Sequence, residues 1–164
     1  MLDNPKPLDK FLQSYRFKLV RPFLIGDVLD FGGNREELKP YVRGKYLAVN
    51  YDHSAMEDAR FDTIVCLAVI EHIDQQEVYK IFLKFKKILK SDGWIFLTTP
   101  TKMAKPILEF LAFLRLINKD SIVEHKHYWS KKELVDLAEK SGLVIKKYKK
   151  FQLGFNQLAV FCHS

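Results

Sequence analysis

The chain has 164 residues, 48% of them hydrophobic and 29% charged, with thirteen Phe and seven Tyr. A chain of this length buries roughly 70% of its unfolded surface in one globular domain, and its aromatic content, with only seven Gly and six Pro, excludes disorder and collagen-like or low-complexity structure. Twenty-seven Lys and Arg against twenty Asp and Glu leave a charge of +7, which favours an anionic partner without choosing among nucleic acid, phospholipid and phosphorylated ligands.

Between residues 8 and 24, Phe11, Leu12, Tyr15, Leu19, Val20 and Phe23 recur at helical spacing until Pro22 and Gly26, which predicts an N-terminal helix. Asp27-Val-Leu-Asp-Phe is a short apolar strand closed by Gly32-Gly33-Asn34, residues that tolerate a sharp turn. A short helix over 35–42 follows, then a second strand over 45–51 and a third over 61–67. Asp74 and Glu77 have capping-box spacing ahead of the stripe Val78, Ile81, Phe82, Phe85, Ile88 and Leu89, and Ser91-Asp92-Gly93 is expected to stop that helix. A fourth strand runs over 94–99 to Pro100, and Pro106 opens an apolar helix over 106–117. Ser130 and Glu133 form a second capping box, Trp129 and Leu134 a hydrophobic staple, and Gly142 stands at the end of a helix over 131–141. Residues 143–151 and 156–162 flank Gly154 as an antiparallel hairpin.

Strands apolar on both faces and alternating with helices predict an α/β fold, a mostly parallel three-layer sheet with a C-terminal antiparallel hairpin and no second domain. Ligands of such sheets bind beyond the carboxyl ends of the strands, here just after Asp30, Val49, Cys66 and Thr99. Cys66 and Cys162 each lie in an apolar run and have neither disulfide-framework nor metal-ligand spacing. With no apolar leader and no stretch of about 18 apolar residues, a cytoplasmic location is expected.

At those carboxyl ends the chain resembles the class I S-adenosylmethionine-dependent methyltransferases with a methyltransferase-11-like domain. Four segments carry the resemblance in order: Val28-Leu-Asp-Phe-Gly-Gly33, Phe61-Asp-Thr-Ile-Val-Cys-Leu-Ala-Val-Ile-Glu-His72, Leu89-Lys-Ser-Asp-Gly-Trp-Ile-Phe-Leu-Thr-Thr-Pro100, and His127-Tyr-Trp-Ser-Lys-Lys-Glu-Leu134 with Ser141-Gly142. The resemblance implies a Rossmann-like sheet and S-adenosyl-L-methionine as cofactor. It places Asp30, Gly32, Gly33 and Asn34 around the methionine end, and Asn50 and Tyr51 at the ribose. Asp58 and Ala59 fall at the adenine, Leu67 and Ala68 beside the reacting centre, and Tyr15 and Arg16 over the cofactor. Asn34 and Glu36 depart from the family's glycine pattern, and Asn50 replaces its ribose-binding acid. Residues 52–60 are too few for the usual helix and strand there, so one edge strand is expected to be missing.

Methyl transfer from a sulfonium is an in-line displacement that rests on positioning, with a base where the acceptor is a hydroxyl or amine. His72, His127 and Glu71 are the candidate catalytic residues, with His125 and Tyr128 as further bases. The expected acceptor is a small or lipid-like molecule methylated at oxygen, and residues 106–117 face the acceptor, a membrane surface or a second copy of the chain. Nucleic acid is disfavoured because the segment after the third strand reads Leu67-Ala-Val-Ile70 rather than an Asn/Asp-Pro-Pro-aromatic tetrad. The departures at Asn34, Glu36 and Asn50 motivate the rival reading, a non-catalytic partner subunit.

Overall fold

Strands that are apolar in successive positions have no face to give to water, so they must be covered on both sides. The computed structural model, which describes residues 7–33, 36–50, 56, 59–114 and 125–164, meets that requirement with three layers. Helix α1 (Pro7–Val20) runs into a 3₁₀ turn at Arg21–Phe23, followed by β1 (Val28–Phe31), a 3₁₀ turn at Lys39–Tyr41, β2 (Tyr46–Val49) and β3 (Phe61–Leu67). A 3₁₀ turn at Ile70–His72 leads to α2 (Gln75–Ile88), β4 (Leu89–Pro100) and α3 (Ala104–Phe113); α4 (Lys131–Ser141), β5 (Leu143–Phe151) and β6 (Asn156–His163) complete the order.

The six strands lie in the order β2-β1-β3-β4-β6-β5. The first four are parallel, and β6 is antiparallel to both neighbours. Alternation sorts the side chains. Leu29, Phe31, Ile64, Cys66, Ile95, Leu97, Ala159 and Phe161 pack with Phe82 and Phe85 of α2 and Leu134 and Leu137 of α4. Val28, Val65, Phe96, Leu158 and Val160 face the other way, onto Val20, Leu24 and Leu38. Among the described residues β2 is one edge of the sheet, with no strand beyond it, as expected from the short segment 52–60.

Several local expectations are corrected. The Asp74 side chain makes no cap bond; it pairs with Lys126 Nζ at 2.8 Å while Glu77 pairs with Lys80 at 3.0 Å, so ion pairs outcompete the capping box. Ser91-Asp92-Gly93 does not stop α2: Leu89 is already extended and pairs with Phe61, and 90–93 form an irregularity before Trp94 pairs with Thr63. The described part of the helix expected over 35–42 is only the turn Lys39–Tyr41, where Pro40 supplies no amide hydrogen. Helix α3 ends at Phe113, and residues 115–117 lie outside the described residues. The N-terminal stripe also splits: Val20 is buried but Phe11 is 61% exposed, because α1 meets the sheet mainly through its last turns.

The cap of α4 forms as expected. Ser130 Oγ accepts from the Glu133 amide at 3.3 Å, Glu133 Oε2 accepts from the Ser130 amide at 2.7 Å, and Gly142 closes the helix at φ 68. Trp129 and Leu134 are buried in one cluster. Replacing Ser130 by Ala is expected to cost about 1 kcal/mol, read as a lower midpoint in urea at unchanged slope.

Candidate functional site

The chain leaves β1 toward β2 on one side and reaches β3 on the other, so the sheet's switch point lies between β1 and β3. Gly32 sits there at φ +89, its amide donating to the Val49 carbonyl at 2.7 Å. A Cβ on it would stand 2.3 Å from Val69 Cγ2, so the turn after β1 rests directly on the turn after β3, an approach only glycine permits. A Cβ on Gly33 would meet Asp30 Oδ2 at 2.2 Å. Asp30 is buried and accepts a hydrogen bond from the Tyr46 hydroxyl. Burial pushes its acid up in pKa, and the Tyr46 bond opposes that shift. Its carboxylate lies directly against Gly33.

The structure places the other cofactor candidates unevenly. Asn34, Tyr51 and Asp58 lie outside the described residues. Glu36 pairs with Lys39 at 2.7 Å on the surface, so its carboxylate does not crowd the turn. Asn50 is exposed at the end of β2, and Ala59 packs partly buried against the core. Leu67 is partly buried on the α1 side, and Ala68 ends β3 at φ 56 with its amide donating to the Thr98 carbonyl at 2.8 Å. Tyr15 stacks at 5.7 Å on Phe151, the last residue of β5, at the same end of the sheet as Pro100, and the charge of Arg16 reaches Glu71 and His125.

The catalytic candidates converge more closely. Glu71 is 1% exposed, and its Oε2 accepts from the Thr99 hydroxyl at 2.9 Å. Burial raises its pKa, while its own backbone amide, His72, Thr99 and Arg16 act the other way. The Glu71 carbonyl accepts from the amides of Lys126 at 2.8 Å and His127 at 3.1 Å, which docks residues 125–130 on the turn after β3. The His125 ring therefore meets His72 edge to face at 4.7 Å and is hydrogen-bonded through Nδ1 to the Tyr128 hydroxyl at 2.9 Å. Burial, then the charges of His72 and Arg16, hold the His125 pKa down to about 4, so it is neutral at pH 7. Burial pushes the Tyr128 phenol up to about 12, helped by Glu109 and Glu71.

His127 is arranged differently. Its Nε2–H donates to Glu133 Oε1 at 2.9 Å, with the Gln75 amide 2.8 Å away, which ties the ring to the cap of α4. An open cleft of about 590 Å³ runs past these groups, lined by Lys102, Lys105, Glu109, His125, His127 and Tyr128. Thr99, Tyr46 and Val69 are site residues that sequence reasoning missed. Tyr46 shares a strand face with Asp30's neighbour in register and carried a readable signal, whereas Thr99 and Val69 became partners only through strand order.

A methyltransferase-domain family matches residues 6–148, and the chain belongs to that family. Its fold is that of the class I enzymes, whose cofactor is S-adenosyl-L-methionine. Mitomycin 7-O-methyltransferase superposes with a TM-score of 0.70 at 16% identity, over 93% of this chain and 54% of its own. Magnesium protoporphyrin IX methyltransferase from Synechocystis PCC 6803, solved with bound S-adenosylhomocysteine, gives 0.58 at 13% identity, over 94% and 83%. An O-methyltransferase of neocarzinostatin biosynthesis, solved with S-adenosylhomocysteine and 1,4-dihydroxy-2-naphthoic acid, gives 0.61 at 15%, over 94% and 56%. The chain thus spans little more than half the length of the first and third of these proteins. No characterised protein sequence matches it significantly.

Glu133 links this site to stability. Burial would raise its pKa, but the Ser130 hydroxyl and amide, Lys102 and His127 lower it to about 2. The unfolded carboxyl protonates near its ordinary 4.5, so the contribution is complete above pH 4.5 and is lost as pH falls toward 2. Between pH 5 and pH 3, the fall in thermal midpoint is expected to be smaller in Glu133→Gln than in the unaltered protein.

Proposed function

We propose that the chain transfers the methyl group of S-adenosyl-L-methionine to an oxygen of a small or lipid-like acceptor. The observation that carries this reading is the convergence of Glu71, His72 and His125 at the carboxyl end of β3, beside the glycine turn of the switch point, with His125 lining the cleft. Family membership over 6–148 supports methyl transfer, and O-methyltransferases among the structural neighbours support oxygen as the nucleophile.

The residues present fit the cofactor. Gly32 holds a positive φ that side chains rarely adopt and keeps the turn after β1 free of side chains of its own, Glu36 pairs with Lys39 on the surface, and Asn50 is exposed at the end of β2. Gly32, Gly33, Asn34, Asn50 and Tyr51 would hold it, with Asp58 and Ala59 at the adenine, Leu67 and Ala68 at the methyl end and Arg16 meeting its carboxylate. Asp30 positions the turn. When bound, the cofactor supplies an electrophilic methyl group on a sulfonium. The acceptor's hydroxyl is activated at the Glu71–His72–His125 cluster, and His127 positions the acceptor from the cleft wall.

The acceptor side fits a ligand with an apolar body and an anionic group. Phe110 and Phe113 of α3 are 58% and 80% exposed, near the lysines at 102 and 105. The same surface would meet a membrane or a second copy of the chain. No helix among the described residues is long and apolar enough to cross a membrane, and free Cys66 and Cys162 suit a reducing cytoplasmic setting.

Calorimetric titration with S-adenosylmethionine and with S-adenosylhomocysteine tests the reading. Micromolar binding is expected, weakened at least tenfold in Gly32→Ala, whose methyl group would displace Val69. Circular dichroism would verify that the variant is folded. Absence of binding at millimolar ligand would overturn the enzyme and leave the non-catalytic partner subunit.

A further inference from the structure

Three donors from two distant parts of the chain meet behind His125, which lines the cleft. Glu71, His72 and His125 each offer one ligand atom, and these atoms all lie within 4.8 Å of one another. We propose that they bind a single divalent transition-metal ion, and that this ion polarises the acceptor hydroxyl. Only the second part rests on the methyltransferase reading above.

The geometry favours an ion over three side chains that merely happen to be neighbours. Donors around an ion with bonds near 2.1 Å stand roughly 3.4 Å apart in a tetrahedron, so the three groups need only a modest contraction. His72 Nδ1 is buried without a hydrogen-bond partner, a costly state for a polar atom that coordination would relieve. His125 is already oriented by its Nδ1 bond to the Tyr128 oxygen, and in the tautomer that donates Nδ1–H there the lone pair of Nε2 is left for a ligand. Thr99 likewise orients the Glu71 carboxylate through Oε2. Two imidazoles and one carboxylate suit Zn²⁺, Mn²⁺, Fe²⁺ or Co²⁺ and disfavour Mg²⁺ and Ca²⁺, which prefer all-oxygen shells. Arg16, whose charge reaches Glu71 and His125, opposes a cation there, so micromolar affinity is expected.

Three protein ligands leave open positions toward the cleft that His125 lines. A hydroxyl at such a position loses its proton more readily. The acceptor oxygen then forms its bond to the methyl carbon as the carbon–sulfur bond breaks, the electron pair stays on sulfur, and the hydroxyl proton passes to water in the cleft.

Co²⁺ titration of the full chain, without other ligands, tests the site. Expected are visible d–d absorption saturating at one equivalent, micromolar affinity and displacement by Zn²⁺. His125→Asn should weaken binding at least tenfold, while His163→Asn, at the far end of β6, should not. Because a site variant can fail to fold, the unaltered protein gives a second readout: Co²⁺ should shift the imidazole NMR signals of His72 and His125 before that of His163. No saturable binding below millimolar Co²⁺, unchanged affinity in His125→Asn, or shifts confined to other histidines would overturn the site. Ion binding without S-adenosylmethionine binding would uphold the site and overturn both the methyltransferase reading and the acceptor role, whereas the reverse would overturn the metal site alone.

Discussion

The carbonyl oxygen of Glu71 is the point on which the site depends. It accepts from two successive amides, Lys126 and His127, and thereby fixes a segment that belongs to no strand or helix against the turn after β3. The attachment is reinforced from both sides: Trp129 Nε1 donates to the Ile70 carbonyl at 3.4 Å, and Gln157 Nε2, from buried β6, donates to the Trp129 carbonyl at 2.6 Å. Each such bond contributes about 1 kcal/mol net, yet the loss of any partner would strand a buried polar group, so the arrangement is cooperative. Without it His125 would have no reason to lie against His72.

The same carbonyl sits above a buried carboxylate. Glu71 is held out of water beside His72 and the Thr99 hydroxyl, an expensive environment for a charge. On the neighbouring strand Asp30 is also buried, with Tyr46 as its partner and Gly33 against its oxygens. The two acids differ in partners. Asp30 is held by the Tyr46 hydroxyl, whereas Glu71 lies among the side chains around His72 and His125. Two carboxyls near the same switch point thus sit in different surroundings, one against Tyr46 and the glycine turn, the other against Thr99, His72 and His125.

Much of the surface near this end of the sheet is apolar and uncovered. Phe11 on α1, Phe110 and Phe113 on α3, and Leu153 at 91% exposure stand in solvent. Leu153 and Gln152 both hold positive φ in the turn that Thr101 binds through the Gly154 carbonyl at 2.8 Å. The basic strand β5, with Lys146, Lys147, Lys149 and Lys150, forms the opposite edge of the sheet, where lysines discourage edge-to-edge pairing. Part of the charge of +7 therefore serves the sheet edge, and Lys102 and Lys105 bring another part to the cleft.

The sequence by itself determined the elements whose signals are local. Strand β3 over 61–67, helix α4 over 131–141 with its Ser130–Glu133 cap and Gly142 stop, and the terminal hairpin were legible because apolar period, capping chemistry and glycine placement act within a few residues. The Gly32 turn was legible for the same reason. Long-range competition decided the rest. Asp74 left its cap for Lys126, and Leu89 was taken into β4 by pairing with Phe61, choices no local window contains. Above all, only the parallel strand order and the Glu71 carbonyl brought His125 to His72, because a hydrogen bond between residues far apart in the chain has no trace in the spacing of either segment.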